Sequence, residues 1–137
     1  MRLLPLTPKE AADLLPLWEP YIVSIADRVG LQASGFIRDI VRGEDILHLI
    51  YDDARNDIRA VVITTFRTDQ HGRRHCHAPY CTGDGVGEWF DLLDDLEDWA
   101  RANGCVSLNT TARPGWSRLM KPKGYRVTHV TLERNLV

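Results

Sequence analysis

Apolar residues recur at helical spacing after Thr7. The stripe consists of Ala11, Leu14, Leu15, Trp18, Ile22 and Ile25, and a single stripe at this period is typical of a helix that covers a core. Thr7–Glu10 has the pattern of a capping box with proline at the first helical position, which predicts where the helix begins. Pro16 and Pro20 each lack an amide hydrogen, so we expect them to kink or divide this helix. Gly30 is its predicted end.

Three later stretches also have a helical pattern. Ala33–Arg42 places Phe36, Ile37, Ile40 and Val41 on one side, and Gly43 follows as a stop signal. The most regular apolar face consists of Trp89, Leu92, Leu93, Leu96, Trp99 and Ala100. Asn103-Gly104 predicts the end of that helix. Pro114–Met120 predicts a short helix that begins at a proline.

The middle of the chain has the pattern of strands instead. Three runs, Ile46–Tyr51, Ile58–Arg67 and Arg73–Cys81, are separated by short polar turns, and the second is rich in β-branched residues. Pro79 cannot donate a hydrogen bond to a neighbouring strand, so it predicts a sheet edge or a bulge in the third run. Val106–Thr111 and the alternating segment Tyr125–Leu136 supply two more predicted strands.

The order of these elements predicts an α/β fold with a mixed sheet. It runs short strand, two helices, three antiparallel strands, helix, strand, helix, strand, which implies an antiparallel meander followed by a β-α-β crossover, with helices on both faces. We expect the crossover to be right-handed. A length of 137 residues fits one domain, residues 1–137.

Composition and charge narrow the function classes. Apolar residues make up 44% and charged residues 26% of the chain, as in ordinary globular proteins. A net charge of −2 gives no overall case for nucleic acid as a partner. No apolar run predicts a membrane span, and the proline-broken N-terminus does not resemble a signal peptide. Three cysteines are too few for a disulfide framework, so we expect a reducing, cytoplasmic compartment.

One glycine-rich stretch raises a question about phosphate binding. YCTGDGVGEW, residues 80–89, places three glycines just before a helix, and exposed amides at a helix start favour an anion. Asp84 and the acidic helix that follows would compete with such an anion for the same amides. A tight connection beside a solvated acidic face is the alternative interpretation, and the residues leave both open.

The third strand run and the basic segment add further candidates. His75, His77 and Cys81 could offer three metal ligands on one face, but structural zinc usually needs four, so ordinary strand histidines without metal are favoured. His77 could also take a proton from an amine. The basic residues Arg113, Arg118, Lys121, Lys123 and Arg126 could bind phosphates or an acidic partner, or form a solvated rim opposite the acidic helix.

The C-terminal third, ARANGCVSLNTTARPGWSRLMKPKGYRVTHVTLERNL, resembles the GNAT N-acetyltransferase superfamily, with Lys121–Tyr125 similar to its Lys-x-Gly-Phe/Tyr turn. The RPGW segment and the acidic helix are also similar to small GNAT-like proteins predicted in tailed phages and prophages. The resemblance implies that acetyl-CoA binds where the fourth and fifth strands diverge. Its implied cofactor-binding residues are Tyr80, Cys81, Thr82, Gly83, Gly85, Val86 and Gly87.

Several positions depart from the family pattern. Gly85 and Gly87 match the family's pyrophosphate turn, whereas Thr82 replaces the usual Gln or Arg and Asp84 adds a negative charge. Met120 stands where many members carry a tyrosine acid. His77 and Asn109 are the remaining catalytic candidates.

Two functions follow as expectations. The first is an acetyl-CoA-dependent N-acetyltransferase with degenerate motifs, which transfers the acyl group directly to the amine of a small molecule or protein. The alternative is a catalytically inactive GNAT-fold binding or accessory protein, phage-encoded in the host cytoplasm if the second similarity holds. Oligomerisation stays open in both.

Overall fold

The computed structural model describes residues 1–137 and contains one five-stranded sheet. Its strands are β1 (Arg2–Pro5), β2 (Ile46–Asp52), β3 (Asp57–Thr68), β4 (Arg74–Gly83) and β5 (Cys105–Asn109). They lie in chain order across the sheet. β1 to β4 pair antiparallel, and β5 pairs parallel with β4. The predicted meander followed by a crossover is therefore confirmed.

Helices lie on both faces of this sheet, as predicted. They are α1 (Pro8–Asp13), α2 (Leu15–Val29), α3 (Ala33–Val41), α4 (Val86–Trp89), α5 (Leu93–Ala102) and α6 (Trp116–Met120). Short 3-10 turns follow α4 at Phe90–Leu92 and α6 at Lys121–Lys123. None of these helices combines the length and apolarity that crossing a bilayer requires.

The predicted first helix is divided once rather than at both prolines. The capping box of Thr7 and Glu10 forms, and α1 ends at Asp13 with Leu14 as its C-cap. Pro16 then lies in the first turn of α2, where a missing amide costs little. Pro20 lies inside α2 and does not divide it. Trp18 and Ile22 are fully buried on either side of Pro20 and hold the helix to the sheet.

One apolar cluster lies on each face of the sheet. One joins α1, α2 and α3 to β2 and β3 around Trp18, Ile22, Ile25, Leu47 and Ile63. The other joins Ile50, Ala60, Val62 and Ala78 of the sheet to Trp89 and Leu96 on the opposite face. The α4–α5 region thus has its own core.

Pro79 lies at a bulge in β4, beyond the last residue of that strand that pairs with β5. β4 is an inner strand, but its register with β3 shifts so that Tyr80 lies opposite Ile63 and His77 opposite Thr65. A proline is tolerated there because the ladder is already interrupted.

The predicted final strand is absent, and this expectation was wrong. Residues 125–137 form no helix or strand. An alternating pattern supplies strand propensity, but a strand also needs a partner for its backbone groups. Within this chain the segment has none, and Val127, Val130, Leu132, Leu136 and Val137 remain exposed.

Candidate active site

The pairing of β4 and β5 stops partway along β4. The last paired residues are His77 and Asn109. One residue later, the Thr110 hydroxyl donates a hydrogen bond to the Ala78 carbonyl at 2.5 Å. Beyond this point β5 ends, and the side of β4 that faced it has no strand partner. A gap therefore opens between β4 and the chain that follows β5.

A cavity of about 450 Å³ occupies this gap and is mostly apolar. Ile50, Val62 and Ala78 contribute from the sheet. Much of the remaining wall comes from α4, α5, the 3-10 turn between them, β5 and the segment after β5; the lining residues there include Trp89, Phe90, Leu93, Leu96, Leu108, Trp116 and Met120. Apolar walls of this kind suit a ligand that is itself largely apolar.

Two arginines also line the cavity. Arg28, in the last turn of α2, donates to the Cys81 carbonyl at 3.2 Å. Arg113 follows β5. Neither lies within 4 Å of a carboxylate oxygen, since neither forms a salt bridge. The cavity therefore has positive charge available for an anionic ligand. Sequence analysis did not single out Arg28, because it has the ordinary position of a basic residue at a helix end.

The glycine turn follows directly from β4. Thr82 and Gly83 end the strand, and the Asp84 amide donates to the Arg59 carbonyl at 3.2 Å. Gly85 has a φ of +68° and precedes α4. Val86 and Gly87 are the first two residues of α4, so their amides have no acceptor within the helix.

Arg59 of β3 binds the acidic residues of the turn. Its side chain is only 8% exposed, and it lies 3.4 Å from Asp84, 3.0 Å from Glu88 and 3.4 Å from Asp52. Asp84 therefore forms an ion pair with a buried cation, and this pairing reduces the repulsion that Asp84 would exert on a bound anion. Sequence analysis did not find this contact, because Arg59 is 25 positions from Asp84.

The structure places Tyr80 and Cys81 on the cavity wall. The Tyr80 ring packs edge-on against Phe36, with centroids 5.1 Å apart. Burial raises the pKa of the Cys81 thiol to about 11, despite the nearby Arg28. Cys81 is thus a neutral thiol near neutral pH and a poor nucleophile.

His77 and Asn109 are brought together. Their Nδ1 and Oδ1 atoms lie 2.5 Å apart. With the amide oxygen as acceptor, His77 carries its proton on Nδ1 and keeps a lone pair on Nε2. Asn109 lines the cavity, whereas His77 is buried beside it on β4.

Met120 and Tyr125 also line the cavity. Met120 has no proton to give. The Tyr125 hydroxyl, which sequence analysis did not single out, donates to Glu97 at 2.8 Å. Burial, reinforced by that carboxylate, raises the pKa of Tyr125 above its usual value. The phenol nearest the family's acid position is therefore a weak acid already engaged by Glu97.

The metal alternative is not supported by the geometry. His75 lies 2.6 Å from the Ser107 hydroxyl and 2.8 Å from Asp69, so both ring nitrogens are engaged. The His75 contact, together with hydrogen bonds from Arg73 and His71, lowers the pKa of Asp69 well below its usual range. No three His, Cys, Asp or Glu side chains in residues 1–137 are placed to hold one ion. His75, Ser107 and Asp69 all lie outside the cavity lining.

The acidic helix and the basic segment contact each other and are not two separate charged faces. Lys123 lies 3.2 Å from Asp94 and 3.6 Å from Asp91. Its ammonium also lies 5.3 Å from the centroid of the Phe90 ring. Lys123 therefore links the segment after β5 to the helices across the cavity.

Comparison with known proteins identifies the fold. No protein-family model matches the sequence, and no curated protein sequence does. Among solved structures, a probable acetyltransferase aligns with a TM-score of 0.77 and 15% identity over 100% of this chain and 97% of its own. Ribosomal-protein-alanine N-acetyltransferase from Brucella melitensis biovar Abortus 2308 aligns at 0.66 and 14% identity, over 99% and 100% of the two chains.

A predicted acetyltransferase from Clostridium acetobutylicum, determined with acetyl-CoA, aligns at 0.66 and 15% identity over 98% and 96%. At these identities the similarity concerns the fold. Over its full length, this chain has the mixed α/β fold of the GNAT acetyltransferases.

Proposed function

We propose that this protein is an acetyl-CoA-dependent N-acetyltransferase that transfers the acetyl group directly to an amine. The observation that carries the proposal is the divergence of β4 and β5 over an apolar cavity that is flanked by Arg28 and Arg113. The GNAT fold sets the context, and the cavity supplies the argument for function.

The residues of the cavity fit acetyl-CoA. The pantetheine arm would lie along the side of β4 that has no strand partner beyond His77, and the apolar walls suit its methylenes. Arg28 and Arg113 would hold the phosphates. When bound, the cofactor supplies an acetyl group activated as a thioester.

The chain's own chemistry centres on His77 and Asn109. Asn109 orients the imidazole so that Nε2 is free to accept a proton from the attacking amine. Holding the amine and the acyl group side by side in the apolar cavity contributes further, because proximity replaces a bimolecular encounter. His77→Ala should lower turnover with little effect on acetyl-CoA affinity, and unchanged turnover would remove His77 from the mechanism.

Calorimetric titration with acetyl-CoA tests the cofactor site. We expect binding that weakens roughly 3- to 10-fold in Arg28→Gln and in Arg113→Gln, since each removes one charge contact of about 1 kcal/mol. Arg42→Gln is the matched control, because Arg42 is exposed and lies outside the cavity lining. Acetyl-pantetheine, which lacks the phosphates, should bind equally to all four proteins. Absence of binding at millimolar acetyl-CoA would overturn the proposal.

A catalytically inactive binding protein is the second candidate. Met120 and the engaged hydroxyl of Tyr125 favour it, because neither readily protonates a departing thiolate. This alternative would be supported if acetyl-CoA binds but no free thiol is released when primary amines, amino sugars or peptides with free N-termini are added. Release of free thiol that depends on an added amine supports the enzyme.

A further inference from the structure

β5 has one unpaired edge. It is the outermost strand of the sheet and pairs only with β4. Its other side presents backbone donors and acceptors without a strand partner, and Val106 on this strand is 60% exposed. An open edge with an exposed β-branched residue is a template for another strand.

The C-terminal segment, residues 126–137, has the complementary properties. None of its residues takes part in a backbone–backbone hydrogen bond outside regular elements, and it belongs to no element. Its two side-chain hydrogen bonds are internal, from His129 to Thr128 and from Val137 to Asn135. Val130, Leu132 and Leu136 alternate with other residues on one side of an extended chain and are 72%, 90% and 87% exposed.

The segment is long enough to cover the edge. Extended, its residues span about 40 Å at about 3.3 Å each, whereas the five residues of β5 span about 17 Å. In the single chain the segment nevertheless leaves its own β5 unpaired, although the two parts are joined by one short helix and a turn. When two molecules exchange their C-terminal segments, the backbone of each exposed segment and the open edge of each β5 both gain hydrogen-bond partners.

We propose that two copies of this chain form a dimer in which each lends its C-terminal segment as a sixth strand to β5 of the other. The exchange is reciprocal, so one two-fold axis satisfies both edges. It covers the apolar side chains of the segment and gives its backbone the partners that it lacks. This inference is independent of the proposed acetyl transfer.

Molar mass measured by light scattering after size-exclusion chromatography is the first test. We expect a dimer for the unmodified chain in the micromolar range. The double variant Val130→Pro with Leu132→Pro should be monomeric, because proline removes two backbone donors from the added strand. Val130→Thr with Leu132→Val is the matched control: it keeps those donors and should stay dimeric. A monomeric unmodified chain would overturn the proposal.

Disulfide trapping between differently tagged copies distinguishes exchange from closure within one chain. Both copies carry Cys105→Ser; one also carries Val106→Cys, and the other carries Thr131→Cys or Leu132→Cys, which present the two sides of the segment. Exchange predicts a covalent dimer containing both tags after mild oxidation. If a single chain that carries both cysteines forms only an internal bond and the mixture forms no cross-link, the segment closes on its own β5 and the proposal is wrong.

Discussion

His48 is a polar residue held in the core without full hydrogen bonding. It is 0% exposed, its Nε2 lies 2.8 Å from the Thr64 hydroxyl, and its Nδ1 has no partner. The ring meets Trp99 edge-on at 4.4 Å. Burial lowers the pKa of His48 to about 3, so the folded protein holds it neutral across the physiological range.

The free energy of unfolding should therefore begin to decrease at a higher pH than it would if only carboxylates were protonated. The pKa of His48 in the unfolded chain is about 6.5, so below that pH the unfolded chain binds a proton at His48 and the folded chain does not. The free energy of unfolding therefore decreases by about 1.4 kcal/mol per pH unit down to the folded-state pKa. Urea unfolding at a series of pH values between neutrality and 4.5 measures this slope. His48→Phe should show a smaller slope in that window, and equal slopes would contradict the assignment.

Cys81 should react slowly with alkylating agents. Its pKa of about 11 leaves little thiolate near neutral pH, and its sulfur lies beside the cavity. Mass spectrometry after iodoacetamide treatment of the native protein should show Cys81 modified far more slowly than the free amino acid. Acetyl-CoA should slow the reaction further under the proposed function. Rapid labelling of Cys81 at neutral pH would show that the thiol is activated.

At the level of elements, the periodicity of apolar residues predicts which face of an element is buried better than it predicts which strand the element pairs with. The meander was predictable because the strands β2 and β3 are apolar and β-branched and are separated by short polar turns. The segment after Tyr125 has the same alternation, yet it forms no strand, because alternation carries no information about which backbone is free to pair. The bulge at Pro79 was predictable from proline chemistry, whereas the continuity of α2 through Pro20 depends on tertiary contacts.

The glycines of the turn should differ sharply in tolerance. A Cβ at Gly83, where φ is +151°, would lie 2.3 Å from the Ala60 Cβ and 2.5 Å from its Cα. Gly83→Ala should therefore cost about 1–3 kcal/mol of stability by overpacking. A Cβ at Gly87 meets nothing within 4 Å, so Gly87→Ala should stay within about 0.5 kcal/mol of the parent. Chemical denaturation compares them; equal costs would mean that the turn is not packed as described.

At the level of the whole molecule, the sequence located the turn but not the charges around it. Tyr80–Gly87 was recognisable because its glycines and the following helix are contiguous. Arg28, Arg59 and Tyr125 come from α2, β3 and the chain after α6, and each has an ordinary local role. Only the assembled fold brings Arg28 and Tyr125 to the cavity and Arg59 to the turn, so no spacing in the sequence could reveal these contacts.

The bonds made by Lys123 and Tyr125 have a consequence for dynamics. Residues 110–125 form one wall of the cavity, and their polar links to the rest of the molecule are few: Thr110 to Ala78, Lys123 to Asp91 and Asp94, and Tyr125 to Glu97. Surface ion pairs of this kind resist opening only weakly. This wall should therefore swing away from α5 as a unit far more often than the whole protein unfolds.

Hydrogen exchange would reveal such a motion. Amides of α6 should exchange at a rate that low urea barely changes, since a local opening exposes little surface, whereas amides of β2 and β3 should exchange only through global unfolding. Lys123→Ala should accelerate the first group and leave the second unchanged. If both groups of amides show the same protection and urea dependence, the wall is part of the rigid core. If the α6 amides exchange through a local opening, a large ligand can enter the cavity from that side while the sheet stays folded.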